Sequence, residues 1–301
     1  MIKVVLSFIE YQIKEIDLRG RIMVSRKTLK NRSKEQLTGQ WKIPVLITLI
    51  VSIIQVASSY AAEASVENTP IYILLFLLNL FITLSIGIMI NSFYLKVSRD
   101  KKVKFSDMLI PWKTYRKGMI IQLLIVLMCV PIIIIMGIVV GIVTVKYSNY
   151  VLASALMSNS TPSFGALTIL ILLLIVVFCI PIVILELYLF PSVILVCEDN
   201  NRGIIQCIKE SFRLMKGNVW RLFVLQFSFI GWGILCIIPV IAVGIITSFT
   251  FNEFIITILP TIAGIGFLWL APYISTTLLN FFNEISGDTN SPIYNEITSL
   301  N

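Results

Sequence analysis

The sequence contains no histidine and few charged residues: 13% of its 301 residues are charged, whereas 57% are hydrophobic. Soluble domains carry about 25% charged residues, so this composition excludes a water-soluble globule. The missing histidine excludes Ser-His-Asp and Cys-His nucleophilic sites, HExxH zinc peptidases and His-ligated haem. We therefore expect an integral membrane protein that performs none of these reactions.

Paired cysteine motifs are missing as well. The five cysteines are scattered, and most lie in apolar stretches: Cys129, Cys179, Cys197, Cys207 and Cys236. An odd, scattered set argues against a disulfide framework or a zinc site. No P-loop glycine run or Glu-rich metal-binding motif occurs. The sequence predicts no ATP hydrolysis, no metal, no cofactor and no catalytic residue.

Long apolar runs fill most of the chain. A spanning helix needs about 20 mainly apolar residues, and six stretches meet or approach this length: 42–60, 71–95, 119–145, 166–196, 221–249 and 254–282. The runs are continuous rather than alternating, which excludes a transmembrane β-barrel. The sequence predicts an all-α polytopic bundle of six transmembrane helices within residues 24–284. Pro181 and Pro191 predict that the fourth helix bends or ends early.

Two segments flank this domain. Residues 1–23 lack the apolar core of a signal peptide; they are interpreted either as an amphipathic helix on the membrane or as an extension upstream of a start at Met23. Residues 285–301 form a polar tail.

The basic residues are distributed unevenly between the predicted spans. Residues 1–42 contain ten Lys and Arg, residues 96–117 contain eight and residues 202–221 contain five, whereas the remaining connections contain only Lys146. Cytoplasmic loops carry the excess of basic residues. The sequence therefore predicts cytoplasmic amino and carboxyl termini and an even number of spans.

Two of the basic segments share a pattern. Each is a predicted amphipathic helix that ends at a glycine, Gly39 or Gly217, shortly before a tryptophan and the next span. The pattern predicts cytoplasmic helices whose residues contact anionic lipid headgroups: Trp41, Lys42, Lys209, Arg213, Lys216, Trp220 and Arg221. In the second helix Ile205, Ile208, Phe212 and Met215 are expected to share the apolar face. Residues 105–118, before the third span, match this pattern less well. Two explanations of the three segments stay open: an internal repeat, or a general requirement for basic segments before spans.

Glu186 is the acidic residue placed well inside a predicted span. Its position about 16 Å from Cys197 along the helix is near the middle of the bilayer. An intramembrane charge indicates a functional site, here a polar cavity for transport; the alternative is a glutamic acid bonded to Gln122, Gln226 or Asn79. A polar stripe in the sixth span, which includes Tyr273, Ser275, Thr276, Thr277 and Asn280, either lines a vestibule or bonds its own helix.

Four stretches resemble the domain-of-unknown-function 975 family of six-span bacterial membrane proteins. They are SRKTLKNRSKEQLTGQWKIPVLITLI (25–50), the run from Tyr188 to Asn200, IKESFRLMKGNVWRLFVLQFSFIGWGIL (208–235) and GIGFLWLAPYISTTLLNFFNE (264–284). The resemblance covers about residues 24–284. It implies the fold and a bacterial membrane protein, and it implies no catalytic residue.

Three functions follow as hypotheses. The first is a non-catalytic multi-pass membrane protein that binds lipid, chiefly anionic inner-leaflet headgroups, or a membrane partner or second copy, in envelope homeostasis or peptide immunity. The second is a transporter or permease component that uses Glu186, and the third is a lipid-modifying enzyme. The cations alternate with apolar anchors, which favours lipid over nucleic acid as their partner.

Overall fold

The computed structural model describes residues 24–99, 101–157, 164–249 and 262–287, with the backbone alone for residues 150–157 and 164–167. The predicted extension at residues 1–23, the start of the sixth predicted span and residues 288–301 of the predicted tail lie outside this part. The described residues form helices and no strand, which confirms the all-α fold. In chain order the α-helices are α1 (Arg26–Leu37), α2 (Lys42–Glu63), α3 (Thr69–Val97), α4 (Trp112–Met157), α5 (Phe164–Glu198), α6 (Ile204–Met215), α7 (Val219–Phe227), α8 (Ile230–Thr247) and α9 (Gly266–Ser286).

Five helical segments in the described part are long and apolar enough to cross a membrane: Lys42–Glu63, Thr69–Val97, Trp112–Asn149, Thr168–Glu198 and Val219–Thr247. They coincide with the first five predicted spans, so the chain is a membrane protein. The fifth segment contains a break between α7 and α8 at Ser228 and Phe229. α5 continues through Pro181 and Pro191 to Glu198 and does not end early.

The sixth predicted span is represented by α9, which differs from the other long helices. α9 packs against α1, α2 and α3, and more than half of its residues are buried, among them Leu279, Phe281 and Phe282. A helix enclosed by protein can carry polar groups that lipid would not accept. The count of six spans and the side on which the termini lie stay predictions.

The chain divides into two compact units. The first, called here the split unit, combines Met1–Pro111 with Trp220–Asn301. In it α2 packs against α3, and α9 packs against α1, α2, α3 and α8. The second, the central unit, is Trp112–Val219, in which α4 packs against α5 and α6 lies on both.

The two basic helices end as the sequence predicts. Gly39 follows α1 with φ +84°, and Gly217 follows α6 with φ +89°. Left-handed backbone after the last helical residue is the usual position of glycine, because a Cβ atom strains that conformation. α1 also begins at a conventional cap, since the Ser25 Oγ accepts a hydrogen bond from the Thr28 N–H.

We predict that Gly39→Ala lowers the free energy of unfolding in detergent by about 1 kcal/mol. No heavy atom lies within 4 Å of a Cβ built at Gly39, so the loss comes from backbone strain rather than from a clash. Thermal unfolding followed by circular dichroism measures it. Gly141→Ala is the control, because Gly141 is helical and equally uncrowded; alanine there should leave the stability unchanged or raise it slightly. Equal effects at both positions would contradict the explanation.

Candidate functional site

α6 is attached to the carboxyl-terminal half of α5 by one face. Cys207, Ser211 and Met215, each four residues apart, are fully buried. The Ser211 Oγ donates a hydrogen bond to the Tyr188 carbonyl oxygen at 2.7 Å, and the Phe212 ring stacks on the Tyr188 ring at 5.4 Å between centroids. Burial raises the pKa of the Cys207 thiol. This face holds the helix in place and leaves the opposite face open.

The open face of α6 combines apolar and basic residues. Ile205 is 69% exposed and Phe212 is 38% exposed, and Lys209, Arg213 and Lys216 are exposed beside them. The sequence placed Ile205, Ile208, Phe212 and Met215 together on one apolar face. In the structure Met215 is buried with Cys207 and Ser211, whereas Ile205 and Phe212 are exposed. Apolar side chains next to cations are the pattern of a helix that lies at a membrane surface.

The loop before α6 is held by charged groups. The Arg202 guanidinium lies 3.4 Å from Glu198, 3.6 Å from Asp199 and 3.5 Å from Glu210. The Lys117 ammonium donates to the carbonyl oxygens of Asn200 and Arg202 at 2.7 and 2.8 Å. Charge-assisted bonds of this kind are the stronger ones, so they fix where α6 begins.

α1 is the corresponding helix of the split unit. Its buried face contains Leu29, Ser33 and Leu37, with the spacing seen in α6. The Lys30 ammonium donates to the Ser228 carbonyl oxygen at 2.9 Å and lies 4.1 Å from the centre of the Phe229 ring. Partial burial, helped by neighbouring Arg26 and Lys34, lowers the pKa of Lys30.

A buried cluster of polar side chains joins α1, the end of α3 and α9. It consists of Ser33, Gln36, Ser98, Asn280 and Asn283, all at most 8% exposed, and is called here the amide cluster. The Asn280 amide donates to the Ser33 hydroxyl at 2.9 Å and to the Gln36 side-chain oxygen at 2.7 Å. Three elements that are distant in sequence are thereby joined by hydrogen bonds inside the protein.

The remaining bonds of the cluster converge on Ser98. Gln36 donates to the Ser98 carbonyl oxygen at 2.8 Å, and Asn283 donates to the Ser98 hydroxyl at 2.9 Å. The side-chain oxygens of Asn280 and Asn283 are buried without a hydrogen-bond partner in the described part of the chain. A buried network with unpaired atoms is sensitive to the loss of any further bond.

An ion pair lies one turn further along α9. The Arg221 guanidinium lies 2.7 Å from the Glu284 carboxylate, and the same carboxylate oxygen accepts the Val24 N–H at 3.0 Å. Arg221, predicted to contact lipid, is therefore engaged by the protein. This pair joins the starts of α1 and α7 to the end of α9.

The loop after α3 contains a half-buried ion pair. Lys96 lies 3.0 Å from Asp107, and Asp107 also accepts the Lys104 N–H at 2.7 Å. These two bonds lower the pKa of Asp107, the backbone bond being the larger cause. The carboxylate thus stays charged and holds the loop closed at neutral pH.

The other predicted lipid-contact residues are accessible to differing degrees. Lys42, Lys209, Arg213, Lys216 and Trp220 are exposed, and Trp41 is half-buried. Arg213 lies 2.9 Å from Glu210, so part of its charge is balanced within the chain. Lys42, Lys209, Lys216 and Trp220 are the exposed members for which the described residues show no ion pair.

Of the four predicted cavity residues, Glu186 and Gln122 belong to the central unit and Asn79 and Gln226 to the split unit. Glu186 is exposed on α5, Gln226 is exposed on α7 and Gln122 is half-buried on α4. Asn79 donates instead to the Ser59 hydroxyl at 3.2 Å and accepts from Thr83 at 3.3 Å. Among the described residues, the buried side-chain oxygen of Gln122 has no hydrogen-bond partner.

The amide cluster was only partly predicted. The sequence singled out Asn280 within a polar stripe, whereas Gln36, Ser98 and Asn283 were missed. The detectable signal was the pair Asn280 and Asn283, which are three residues apart and therefore share a face of the helix. Thr276 and Thr277 bond the carbonyl oxygens of Pro272 and Tyr273, which confirms the alternative of bonding to their own helix.

One family model matches almost the whole chain. The family is described as Protein of unknown function (DUF975), and the match covers residues 23–289. No curated protein and no solved structure matches the chain. In the described residues no group of three or more Cys, Asp or Glu side chains is arranged to hold a metal ion.

We predict that Asn280→Ala lowers the free energy of unfolding by about 1–3 kcal/mol, because the buried Gln36 oxygen and Ser33 hydroxyl lose their donor. Asn31→Ala is the matched control: Asn31 is exposed on α1, and its replacement should cost less than about 0.5 kcal/mol. Chemical denaturation in detergent compares the two variants. An Asn280→Ala protein as stable as Asn31→Ala would show that the cluster does not hold α1 to α9.

Proposed function

The chain belongs to this family of unknown function, and we propose that it is a non-catalytic multi-pass membrane protein whose helix α6 binds anionic lipid headgroups. The observation that supports the proposal is the open face of α6. Ile205 and Phe212 can enter the interface between headgroups and acyl chains, while Lys209 and Lys216 meet the phosphates. Each cation near an anionic surface contributes about 1 kcal/mol.

The attachment of α6 makes this face suited to binding. Ser211 and Tyr188 hold the helix against α5, and Arg202 holds the preceding loop, so little ordering is required when lipid binds. Trp220, which is 71% exposed, follows α6 in the chain and is of the residue type that anchors at headgroups. We propose that this surface lies on the inner leaflet of a bacterial plasma membrane and serves envelope homeostasis or immunity to membrane-active peptides.

The other hypotheses find less support. A transport site at Glu186 would need a polar cavity around the carboxylate, whereas Glu186 is exposed on α5 and makes no hydrogen bond in the described residues. A lipid-modifying enzyme needs a nucleophile or an acid–base pair aimed at the headgroup, and the open face of α6 offers lysines, an arginine and apolar residues. Both hypotheses stay secondary proposals.

We predict that replacing Lys209, Arg213 and Lys216 together by Gln weakens binding of phosphatidylglycerol at least 10-fold, with little change for phosphatidylcholine. Binding is measured on the purified full chain in nanodiscs by the exchange of fluorescent lipid. The difference in phosphatidylglycerol binding between this variant and the wild-type protein should become smaller at high salt, because exposed charges are screened beyond about 10 Å at 0.1 M salt.

The matched control replaces Lys27, Lys101 and Lys102 by Gln, which removes the same charge from exposed residues outside α6. If this variant loses phosphatidylglycerol binding to the same extent, the effect is one of net charge and α6 is not the binding helix. Ile205→Ser should weaken binding without altering charge, since it removes an exposed apolar anchor.

A further inference from the structure

Glu186 lies on an outward face of α5 at the depth of the hydrocarbon core. It is twelve residues from the last residue of the helix, which corresponds to about 18 Å along its axis, within a core of about 30 Å. Its neighbours Leu187 and Leu189 are buried, whereas Glu186 itself is exposed. Val183 and Cys179, one and two turns away on the same side, are exposed as well.

The chain offers no cation for this carboxylate. In the described residues Glu186 makes no hydrogen bond or ion pair; Cys129 is close enough for an electrostatic interaction, but a thiol carries no positive charge. All 24 Lys and Arg residues of the sequence lie outside the interior of its apolar stretches. Neither another part of the chain nor a second copy can therefore place a basic group at this depth.

We propose that the α5 face formed by Cys179, Val183 and Glu186 docks a membrane-spanning helix of a different protein, one that carries a Lys or Arg near the centre of the bilayer. An ionised side chain in the membrane is costly and pairs with an opposite charge where one is present. A second copy of the chain would bring another carboxylate to the same place. Charge complementarity thus selects a basic partner helix, independently of lipid binding by α6.

The experiment uses the full-length protein in vesicles with synthetic spanning peptides. Each peptide is a polyleucine helix with one central residue, Lys, Gln or Leu, and with a Cys seven residues to either side. Cys179 lies seven residues from Glu186, so docking places it beside a peptide Cys and oxidation forms a disulfide between the two thiols. The added oxidant accepts the two electrons and two protons are released. Cys179→Ser identifies the cross-link made at this position.

We expect the Lys peptide to cross-link to the wild-type protein at least 5-fold more than the Leu peptide. Glu186→Gln should reduce the cross-linking yield of the Lys peptide to that of the Leu peptide. Glu186→Asp keeps the charge and should therefore retain the preference for the Lys peptide. Glu63→Gln is the control variant, because Glu63 is an exposed carboxylate at the end of α2, and it should behave as wild type.

Three results would overturn the proposal. The first is equal cross-linking of the Gln and Lys peptides, which would indicate neutral hydrogen bonding rather than charge pairing. The second is an undiminished preference for the Lys peptide in Glu186→Gln, and the third is no preference in the wild-type protein. Because the Lys and Leu peptides are compared on the same variant, a general loss of folded protein lowers both yields and does not imitate a loss of preference.

Discussion

A polar side chain on a membrane-spanning helix must be bonded inside the protein, placed at the helix end or paired with an opposite charge, because hydrocarbon offers no hydrogen bond. This constraint explains how α9 differs from the five apolar segments. α9 carries Asn280 and Asn283, and both are enclosed and bonded to α1 and to Ser98 at the end of α3. The position of α1 and the polarity of α9 are thus two parts of one arrangement.

Much of the fold could be predicted, because the signals involved are local. Helix length and composition identified the apolar segments, and Gly39 and Gly217 marked the ends of α1 and α6. The buried face of α6 could not be found in this way. Its apolar residues occupy two adjoining stripes, and the stripe that is buried depends on Ser211 reaching the Tyr188 carbonyl oxygen 23 residues away. Periodicity identifies an amphipathic helix but does not show which helix it packs against.

The candidate sites could likewise be predicted only in part, because their bonds join residues that are distant in sequence. Cations and tryptophans near the ends of spans can be identified in the sequence, but the sequence does not show which of them form bonds within the protein. Arg221 pairs with Glu284, whereas Lys216 stays exposed. The amide cluster brings together residues from positions 33 to 283, and no local pattern reports such a meeting. The sequence contains both residues of each of these bonds, but it does not show that they lie close together in the folded chain.

The burial pattern also bears on whether the basic helices are related. Leu29, Ser33 and Leu37 precede Gly39 with the spacing by which Cys207, Ser211 and Met215 precede Gly217, and all six are buried. A general need for basic segments before spans accounts for the cations and the glycines, but it does not determine which positions are buried. The third segment differs, since a short 3₁₀ helix, Phe105–Met108, precedes α4 there. The shared burial therefore favours a common origin for α1 and α6 and sets the third segment apart.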